Sequence, residues 1–208
     1  MSHVYYHTRK EDKQYPLEQT STPVSASVSL SDAKDFFRED RTVEDSLITG
    51  LVDASEKVIE KQTGYNLIDT DYRMHLTSFE NIKIPKKPYK SGSLTVKYDD
   101  TDGNEQTLSS TEYTVYKQEN PVRIDFHGDN LPDLENADSN DYPVRVDFTI
   151  GYGTSESDVP ERFKTSIKMI ALILWKRDLP MTVDENLDPM QIKSIRTLIS
   201  GLKIGRFH

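Results

Sequence analysis

Alternation of apolar and polar residues through the middle of the chain is the feature that most restricts its fold. It begins in residues 72–76 and ends in residues 144–150, and a period of two residues is typical of half-buried β-strands. Apolar residues recur at helical spacing on both sides, in residues 47–59 and residues 163–202. Because strands are segregated from helices, the pattern predicts an α+β protein: N-terminal helices, a central antiparallel β insert and two C-terminal helices.

Two helices are predicted before the strands. The first covers residues 31–37 with Ser31 as its N-cap. The second follows Thr42, which forms a pattern like a capping box with Asp45 three residues later. Its apolar stripe is expected to face the core and contains Leu47, Ile48, Leu51, Val52, Ser55, Val58 and Ile59. Gly64 stands where a glycine commonly ends a helix.

Further strands are predicted at residues 82–84, 94–98 and 122–126. Prolines at positions 85 and 88 interrupt the pattern. The Asp-, Gly- and Asn-rich residues 99–104 predict a turn. We expect this turn to join the strand at 94–98 to a strand that contains Tyr113 and Val115, forming a hairpin.

Two helices are predicted after the strands. Pro160 marks the start of the first, since proline is favoured at the first helical position. Every residue from Met169 to Trp175 is apolar, which predicts a helix that is buried on all sides, either centrally or beneath a neighbouring molecule. The last helix begins near Pro189 and carries Ile192, Ile195, Leu198, Ile199 and Leu202 at helical spacing.

The first 28 residues are polar and lack a helical period. Val24, Ala26 and Val28 alternate with serines, which favours an extended arm or an edge strand. A disordered terminus and an arm that orders on a neighbouring subunit remain alternatives. The predicted organisation is an arm at residues 1–28 and one domain at residues 29–206. Its helical part covers residues 29–66 and 159–206, and its β part covers residues 70–150.

Charge and composition exclude several classes of protein. The 26 basic and 35 acidic residues give a formal net charge of −9, which argues against binding of DNA by neutralising its phosphates. An acidic wall would instead let DNA pass without sticking. The absence of cysteine excludes disulfides and thiolate metal sites. The start has no signal-like apolar region, and no apolar run approaches the roughly 20 residues of a membrane span, so we expect no membrane partner.

Residues with catalytic or metal-binding chemistry form no local motif. The histidines, at positions 3, 7, 75, 127 and 208, are scattered. Residues 100–104 start like a calcium loop but lack its length and terminal glutamate, so a turn explains them better. Acidic residues 129, 133, 135, 138 and 141 could hold a cation, although a solvated acidic loop is favoured. We therefore predict no catalytic residue, metal or cofactor.

Three motifs follow one another along residues 29–206. The stretch LSDAKDFFR at 30–38 precedes an acidic segment and a helix that ends in TGY at 63–65. A proline-bounded β insert carries the Asp-rich turn at 99–103. The stretch VDFTIGYG at 146–153 precedes Val159-Pro160 and a helix containing ALILWKR at 171–177. In this order and spacing, the motifs resemble the head–tail connector (head-completion adaptor) family of tailed bacteriophages.

The resemblance implies a structural virion protein and not an enzyme. Such a subunit assembles into a ring, commonly twelve-fold, that docks on the portal vertex and extends the DNA channel. Its implied partners are the portal protein, other copies of itself, a neck, head-completion or tail protein, and DNA that passes without specific recognition. Its implied location is the head–tail interface of the virion, and the host cytoplasm during assembly. Residues 1–28 depart from shorter relatives, which leaves the role of that arm open.

Candidate interface residues follow from the same resemblance, because the C-terminal segment of relatives reaches toward the portal. They are Lys193, Arg196, Lys203, Arg206 and Phe207, together with Trp175. Basic residues near the end of a helix also complement its dipole, which is an ordinary structural explanation. Trp175, the only tryptophan, is expected to anchor the core, and a contact between subunits is a second interpretation.

Two other functions remain open from the sequence. The chain could be a tail-side terminator or a host-interaction module, with the β-rich middle as its binding surface. It could also be a hydrolase, since catalytic residues that are distant in sequence can meet in space.

Overall fold

The computed structural model describes residues 15–128, 131–134, 141–175, 193, 194, 196, 197 and 199–201. The chain divides into two compact units. The sheet unit contains residues 15–23 and 69–151, and the helical unit contains residues 24–68 and the described residues from 152 onward. The architecture is α+β, as the segregated periodicities predict.

The described residues of the sheet unit form eight strands. In chain order they are β1 (Leu17–Gln19), β2 (Thr70–Leu76), β3 (Ile82–Lys83), β4 (Thr95–Asp99), β5 (Glu105–Thr107), β6 (Tyr113–Tyr116), β7 (Arg123–Phe126) and β8 (Val144–Ile150). Five of them form an antiparallel sheet in the order β1-β2-β8-β4-β5. The other three form an antiparallel sheet in the order β3-β7-β6.

The two long strands β2 and β8 form the centre of the five-stranded sheet. They pair over their full length, from Thr70 opposite Ile150 to Leu76 opposite Val144. Every second residue is buried in both strands, which confirms the predicted alternation. These residues share one apolar core with residues of the three-stranded sheet, among them Ile82, Ile84, Ile124 and Phe126.

The hairpin predicted after residue 99 is only partly correct. The turn forms, but its second strand is β5, which pairs with β4 through Gln106 opposite Tyr98. Tyr113 and Val115 lie instead in β6, which pairs with β7 in the other sheet. The sequence prediction missed β5 because its three residues, Glu105, Gln106 and Thr107, are polar and exposed. Such a strand carries no apolar alternation.

The edge strand near the N-terminus lies earlier than predicted. Leu17–Gln19 forms β1 along β2, whereas residues 24–28 form no strand. The alternation at 24–28 has another cause, since Val24 is 76% exposed while Val28 is buried in the core of the helical unit. Ser27 is also fully buried and donates its hydroxyl hydrogen to the carboxylate of Glu56 at 2.5 Å.

Three α-helices organise the helical unit: α1 (Leu30–Phe37), α2 (Asp45–Thr63) and α3 (Glu161–Trp175). A 3₁₀ turn precedes α2 at Thr42–Glu44, and another precedes α3 at Glu156–Asp158. Residues 193, 194, 196, 197 and 199–201 are helical as well. Ile48, Ile59, Phe163, Ile167 and Ile170 are fully buried between these helices.

At the helix ends, one of the three predicted features is confirmed and two are wrong. Gly64 has a φ of 73° and its N–H bonds to the carbonyl of Glu60, so it ends α2 as predicted. The N-cap of α1 is Ser29 rather than Ser31, since the Ser29 hydroxyl accepts the N–H of Asp32. No capping box forms at Thr42. Asp45 bonds to the ammonium of Lys34 instead, at 2.5 Å.

No helix within the described part of the chain is long and apolar enough to cross a membrane.

Candidate interaction surfaces

The basic C-terminal stretch is exposed where the structure describes it. Lys193 and Arg196 are exposed, whereas Ile199 is buried and belongs to the core of the helical unit. The stretch therefore packs through an apolar side chain and presents two cations to solvent. Of the remaining candidates in this segment, Lys203, Arg206 and Phe207 lie outside the described residues.

Trp175 lies at the end of α3 and is half-buried. Its ring stacks on that of Phe37, with centroids 5.4 Å apart and an interplanar angle of 24°. Offset stacking of this kind adds to the free energy gained by burial. The contact gives Trp175 a role as an anchor between α1 and α3, in line with the first of its two interpretations.

The apolar run at the end of α3 is not buried on all sides. Ile170, Ala171 and Leu174 lie in the core, while Met169 is 39% exposed and Leu172 and Ile173 are only partly buried. A helix buried centrally within its own chain is therefore excluded, whereas cover by a neighbouring molecule stays a prediction. Because the residues on both the covered and the exposed side of this run are apolar, its sequence shows no helical period.

A second apolar surface lies at the corner between α1 and α2. Phe36, Val43 and Leu47 are 38%, 77% and 39% exposed, respectively. The corner between them is held by Arg41, whose guanidinium donates to both oxygens of Glu39 at 2.8 and 2.9 Å. These hydrogen bonds lower the pKa of Glu39 to about 2. Leu47 was predicted to face the core, so its exposure corrects the expected stripe.

Ion pairs join the strands of the five-stranded sheet on the face opposite the core. Arg73 on β2 binds both oxygens of Asp147 on β8, at 2.7 and 2.9 Å. Arg145 on β8 binds both oxygens of Asp99 on β4, at 2.7 and 2.5 Å, and contacts Glu105 on β5. Bidentate pairs between arginine and carboxylate are stronger and more directional than ordinary ion pairs. Directional ion pairs therefore hold the strands together on this face, whereas the opposite face buries apolar side chains.

Polar contacts extend this ladder to both edges of the sheet. The ring of His75 on β2 lies 3.1 Å from the carboxylate of Glu18 on β1. At the other edge, Lys97 on β4 donates to Glu105 on β5 at 2.8 Å. A shallow pocket of about 270 Å³ lies on the same face, with Thr20, Ser93 and Thr149 in its lining. Of the charged residues in its lining, Arg73 and Asp147 are bound to each other, and the carboxylate of Asp71 accepts a hydrogen bond from the hydroxyl of Thr149 at 2.7 Å.

Asp100 organises the turn between β4 and β5. One of its carboxylate oxygens accepts the backbone N–H groups of Asp102 and Asn104 at 3.1 and 2.9 Å, and the other accepts from Gln106. The hydrogen bond from the Asn104 N–H is the main reason that the pKa of Asp100 lies below its ordinary value. The carboxylate therefore caps a turn, which agrees with the turn predicted for residues 99–104.

The described histidines have structural neighbours. His75 lies beside Glu18, and the ring of His127 lies 3.0 Å from the hydroxyl of Thr114. Among residues 15–128 and the other described positions, no group of three or more His, Asp or Glu side chains could hold a metal ion. Of the acidic loop, residues 129, 135 and 138 lie outside the described part, as do His3, His7 and His208.

The fold is that of chains found in the necks of gene transfer agent (GTA) particles. One chain in the neck of the empty GTA particle, computed with C6 symmetry, has a TM-score of 0.69 and 20% sequence identity. A chain in the neck of the native GTA particle, computed with C12 symmetry, has a TM-score of 0.64 and 20% identity. A chain of the native GTA virion has a TM-score of 0.68 and 18% identity. Each alignment covers 92% of this chain and 97% of the other.

Comparison by sequence gives no further assignment. No protein-family model matches the chain, and no curated protein matches it. At 18–20% identity the likeness to the GTA chains establishes the fold alone. It extends through nearly the whole of both chains, including the sheet unit and the helical unit.

Sequence reasoning missed both the ion-pair ladder and the apolar corner. The partners Arg73 and Asp147 are separated by 74 positions, and only the register of β2 with β8 brings them together. The exposure of Phe36 and Val43 cannot be recognised from the sequence, since an apolar side chain near a short helix could equally well be buried in the core. One sequence pattern did indicate where the ladder lies: every second residue of β2 and β8 is polar, which identifies the face of the sheet that is exposed to solvent.

Proposed function

We propose that this chain is a structural subunit of the neck of a phage-like particle, where it forms a ring at the head–tail interface. The observation that carries the proposal is the likeness of fold to GTA neck chains over 92% of this chain and 97% of theirs. A match over both whole chains supports a shared architecture of the complete subunit. The proposed location is the virion, after synthesis and assembly in the host cytoplasm.

The proposed assembly is a head–tail connector ring, twelve-fold, that docks on the portal protein. Two of the similar necks were computed with six-fold and twelve-fold symmetry, which supports repeated copies around an axis. Cyclic rings need a heterologous contact, in which two different surfaces of the subunit meet. Docking on a portal would bring copies together at high local concentration and favour closure of the ring.

The proposed portal contact is the basic C-terminal stretch. Lys193 and Arg196 are exposed and lie beside a buried anchor, Ile199, so the two charges are available to an acidic surface. Lys203, Arg206 and Phe207 extend the same basic segment in the sequence. Trp175, the other candidate, is half-buried and stacks on Phe37 in the same unit.

The proposed ring extends the DNA channel without recognising DNA, and its lower face receives a neck, head-completion or tail protein. The net charge of −9 suits a wall that repels phosphate and lets DNA slide past. The role is structural and non-catalytic.

Mass photometry of the purified protein with the portal ring of the same particle tests the proposal. We expect the portal to gain mass in steps of 23.9 kDa, the mass of one chain, until a ring is complete. The double variant Lys193→Glu/Arg196→Glu should need a markedly higher concentration to saturate the portal. Lys57→Glu serves as a matched control, because Lys57 is an exposed lysine on another helix.

A contradictory result would be a stable small oligomer that never binds the portal. That outcome would favour a tail-side role for the chain. Equal binding by the double variant and by the control would remove the C-terminal stretch as the portal contact while leaving the ring in place.

A further inference from the structure

Strand β5 is the most exposed edge strand among the described residues. All three of its residues are exposed. By contrast, Leu17 on β1 and Ile82 on β3 are buried, and β6 is half-buried along its whole length. An exposed strand edge presents unpaired backbone groups and can take up another strand. Of the described edges, β5 is therefore the one most open to a partner.

The register of β5 on β4 shows which of its backbone groups are free to bond outward. The N–H of Asp100 donates to the carbonyl of Asn104 at 3.0 Å, so every second residue from Asn104 onward faces β4. Hydrogen bonding alternates along an antiparallel strand, and the N–H and C=O groups of Glu105 and Thr107 accordingly point away from β4. An added strand can therefore bond to two residues of β5.

The two faces of the sheet determine which residue types suit an added strand. Gln106 lies opposite Tyr98 and shares its face with Leu108, which is buried. A residue placed beside Gln106 would thus extend the apolar face of the sheet. Its neighbours in the added strand would lie on the opposite face, beside the ion pairs. A segment in which polar residues flank an apolar one fits this edge.

The turn next to β5 adds a preference for positive charge. Glu105 is already bound to Lys97 and Arg145. Among the described residues, however, no cation forms an ion pair with Asp100 or Asp102, and the Asp100 carboxylate accepts only from backbone N–H groups and side-chain amides. A strand with a lysine or arginine at the end that reaches the turn is complementary to these carboxylates.

We propose that β5 takes up an extended segment of a different protein of the particle, which adds as a strand and places a lysine or arginine beside Asp100 and Asp102. The inference rests on the proposed neck role and identifies the surface at which the ring receives its next protein. Backbone hydrogen bonds provide the attachment, as in other cases of strand addition. Because only two residues of β5 bond outward, the charge contact contributes part of the affinity.

Photo-cross-linking from a single cysteine tests the contact in the assembled particle, because the chain has no cysteine of its own. The variant Thr107→Cys is coupled to benzophenone maleimide and replaces the native chain in particles. Gln62→Cys, at an exposed position of α2 in the helical unit, is the matched control. We expect light to join the Thr107→Cys chain, but not the Gln62→Cys chain, to one different protein, within a segment that carries lysine or arginine.

The position of the adduct distinguishes the possible occupants of the edge. An adduct with a second copy of this chain, or no adduct in particles that contain the variant, would refute the inference and leave the proposed function standing. The same adduct from both positions would indicate chance collision and would refute the inference as well. Absence of the chain from purified particles would refute the proposed function and the inference together.

Two substitutions of Thr107 test the backbone bonds. Thr107→Pro removes an outward N–H without touching the ladder to β4, whereas Thr107→Ala shortens the side chain and keeps that N–H. Biolayer interferometry with the purified cross-linked protein measures the affinity of each variant. The proline variant should bind about fivefold more weakly than the alanine variant, the usual effect of one hydrogen bond. Equal affinity of the two variants would contradict strand addition.

A pair of charge reversals tests the acidic turn in the same binding measurement. Asp102→Lys should weaken binding at low salt and have much less effect at high salt, because salt screens exposed charges. Asp53→Lys makes the same change at an exposed position of α2 and should leave binding unchanged. Equal affinity of these two variants at low salt would refute the charge contact.

Discussion

The carboxylate of Glu56 accepts hydrogen bonds from both the hydroxyl and the N–H of Ser27, at 2.5 and 3.3 Å. Glu56 is 5% exposed and Ser27 is fully buried. This contact fastens the segment before α1 to the middle of α2. It also places an ionisable group in the helical unit where its charge is poorly solvated, and burial accordingly raises the pKa of Glu56.

Glu56 makes the stability of the helical unit dependent on pH. Its pKa is raised in the folded state, so the folded state binds the proton more tightly than the unfolded state does. The free energy of unfolding should therefore decrease as pH rises from about 4.5, the ordinary value, through the raised pKa, and then level off. Glu56→Gln keeps an acceptor for Ser27 and should abolish this decrease. Urea unfolding followed by the fluorescence of Trp175 measures it within the same unit.

Ser27→Ala provides the matched control for that experiment. This substitution removes the hydroxyl donor but leaves Glu56 buried. The charged carboxylate of Glu56 therefore loses the stronger of its two hydrogen bonds. We expect a loss of about 1–3 kcal/mol at neutral pH and a steeper dependence on pH than in the unmodified protein. An identical pH dependence in all three proteins would show that Glu56 is not the titrating group.

Gly151 at the end of β8 should not tolerate a side chain. Its φ is +154°, and a Cβ atom would lie 2.5 Å from the backbone of Asp69. Gly151→Ala should therefore destabilise the protein by more than about 2 kcal/mol. Gly92→Ala is the control, because Gly92 also has a positive φ, +86°, but has open space around it. Thermal unfolding by circular dichroism compares the two; equal losses would mean that backbone strain alone matters.

Arg145 should contribute more to stability than any other cation of the ladder on the sheet. Its side chain and that of Asp99 are 13% and 12% exposed, so its removal takes the bidentate arginine away from a largely buried carboxylate. Arg145→Met should cost about 2–4 kcal/mol. Lys97→Met, which breaks a more exposed pair with Glu105, should cost less than about 1 kcal/mol.

A second substitution distinguishes the charge from the packing of Arg145. Adding Asp99→Asn to Arg145→Met removes the buried charge that Arg145 had compensated, so part of the lost stability should return. Urea unfolding of the single and double variants gives the coupling between the two residues. A double variant that is less stable by the sum of both losses would show that packing, not the ion pair, is the main contribution.

The stacking of Trp175 on Phe37 should contribute measurably to the stability of the helical unit. Trp175→Ala removes a half-buried ring and should lower the free energy of unfolding by about 2–3 kcal/mol. Trp175→Phe keeps an aromatic partner and should lose less than half of that amount. Since fluorescence is lost in both variants, far-UV circular dichroism is the appropriate measurement.

Much of the fold could be predicted from periodicity, and the exceptions have physical reasons. Strands β2 and β8 are long and have one face in the core, so their alternation is unambiguous. Helix α2 ends at Gly64 as the sequence predicts, because few residues adopt a positive φ as readily as glycine. The strands β1 and β5 are three residues long at the edges of the sheet, where one side is open and no apolar pattern is required.

The candidate surfaces were harder to predict than the fold. The exposed positions of Lys193 and Arg196 could be anticipated, since they are charged residues within an apolar period. The ladder through Arg73, Asp147, Arg145 and Asp99 could not, because a shift of one residue in strand register would have separated every pair. Exposure of Met169 and Leu47 depends on which side of each helix the rest of the unit covers, and an apolar side chain alone does not reveal it.

The pairing of Thr70 with Ile150 has a consequence for how this architecture can change over evolutionary time. After α2 the chain enters the sheet unit at residue 69, and it leaves that unit at residue 151, so both positions adjoin the same end of the β2–β8 pair. Neighbouring strands are about 5 Å apart, so the inserted segment begins and ends at nearly the same place. Inserts whose ends lie close together can be lengthened, shortened or exchanged without distorting the rest of the fold. The strands between β2 and β8 can thus change while the helical core keeps its design.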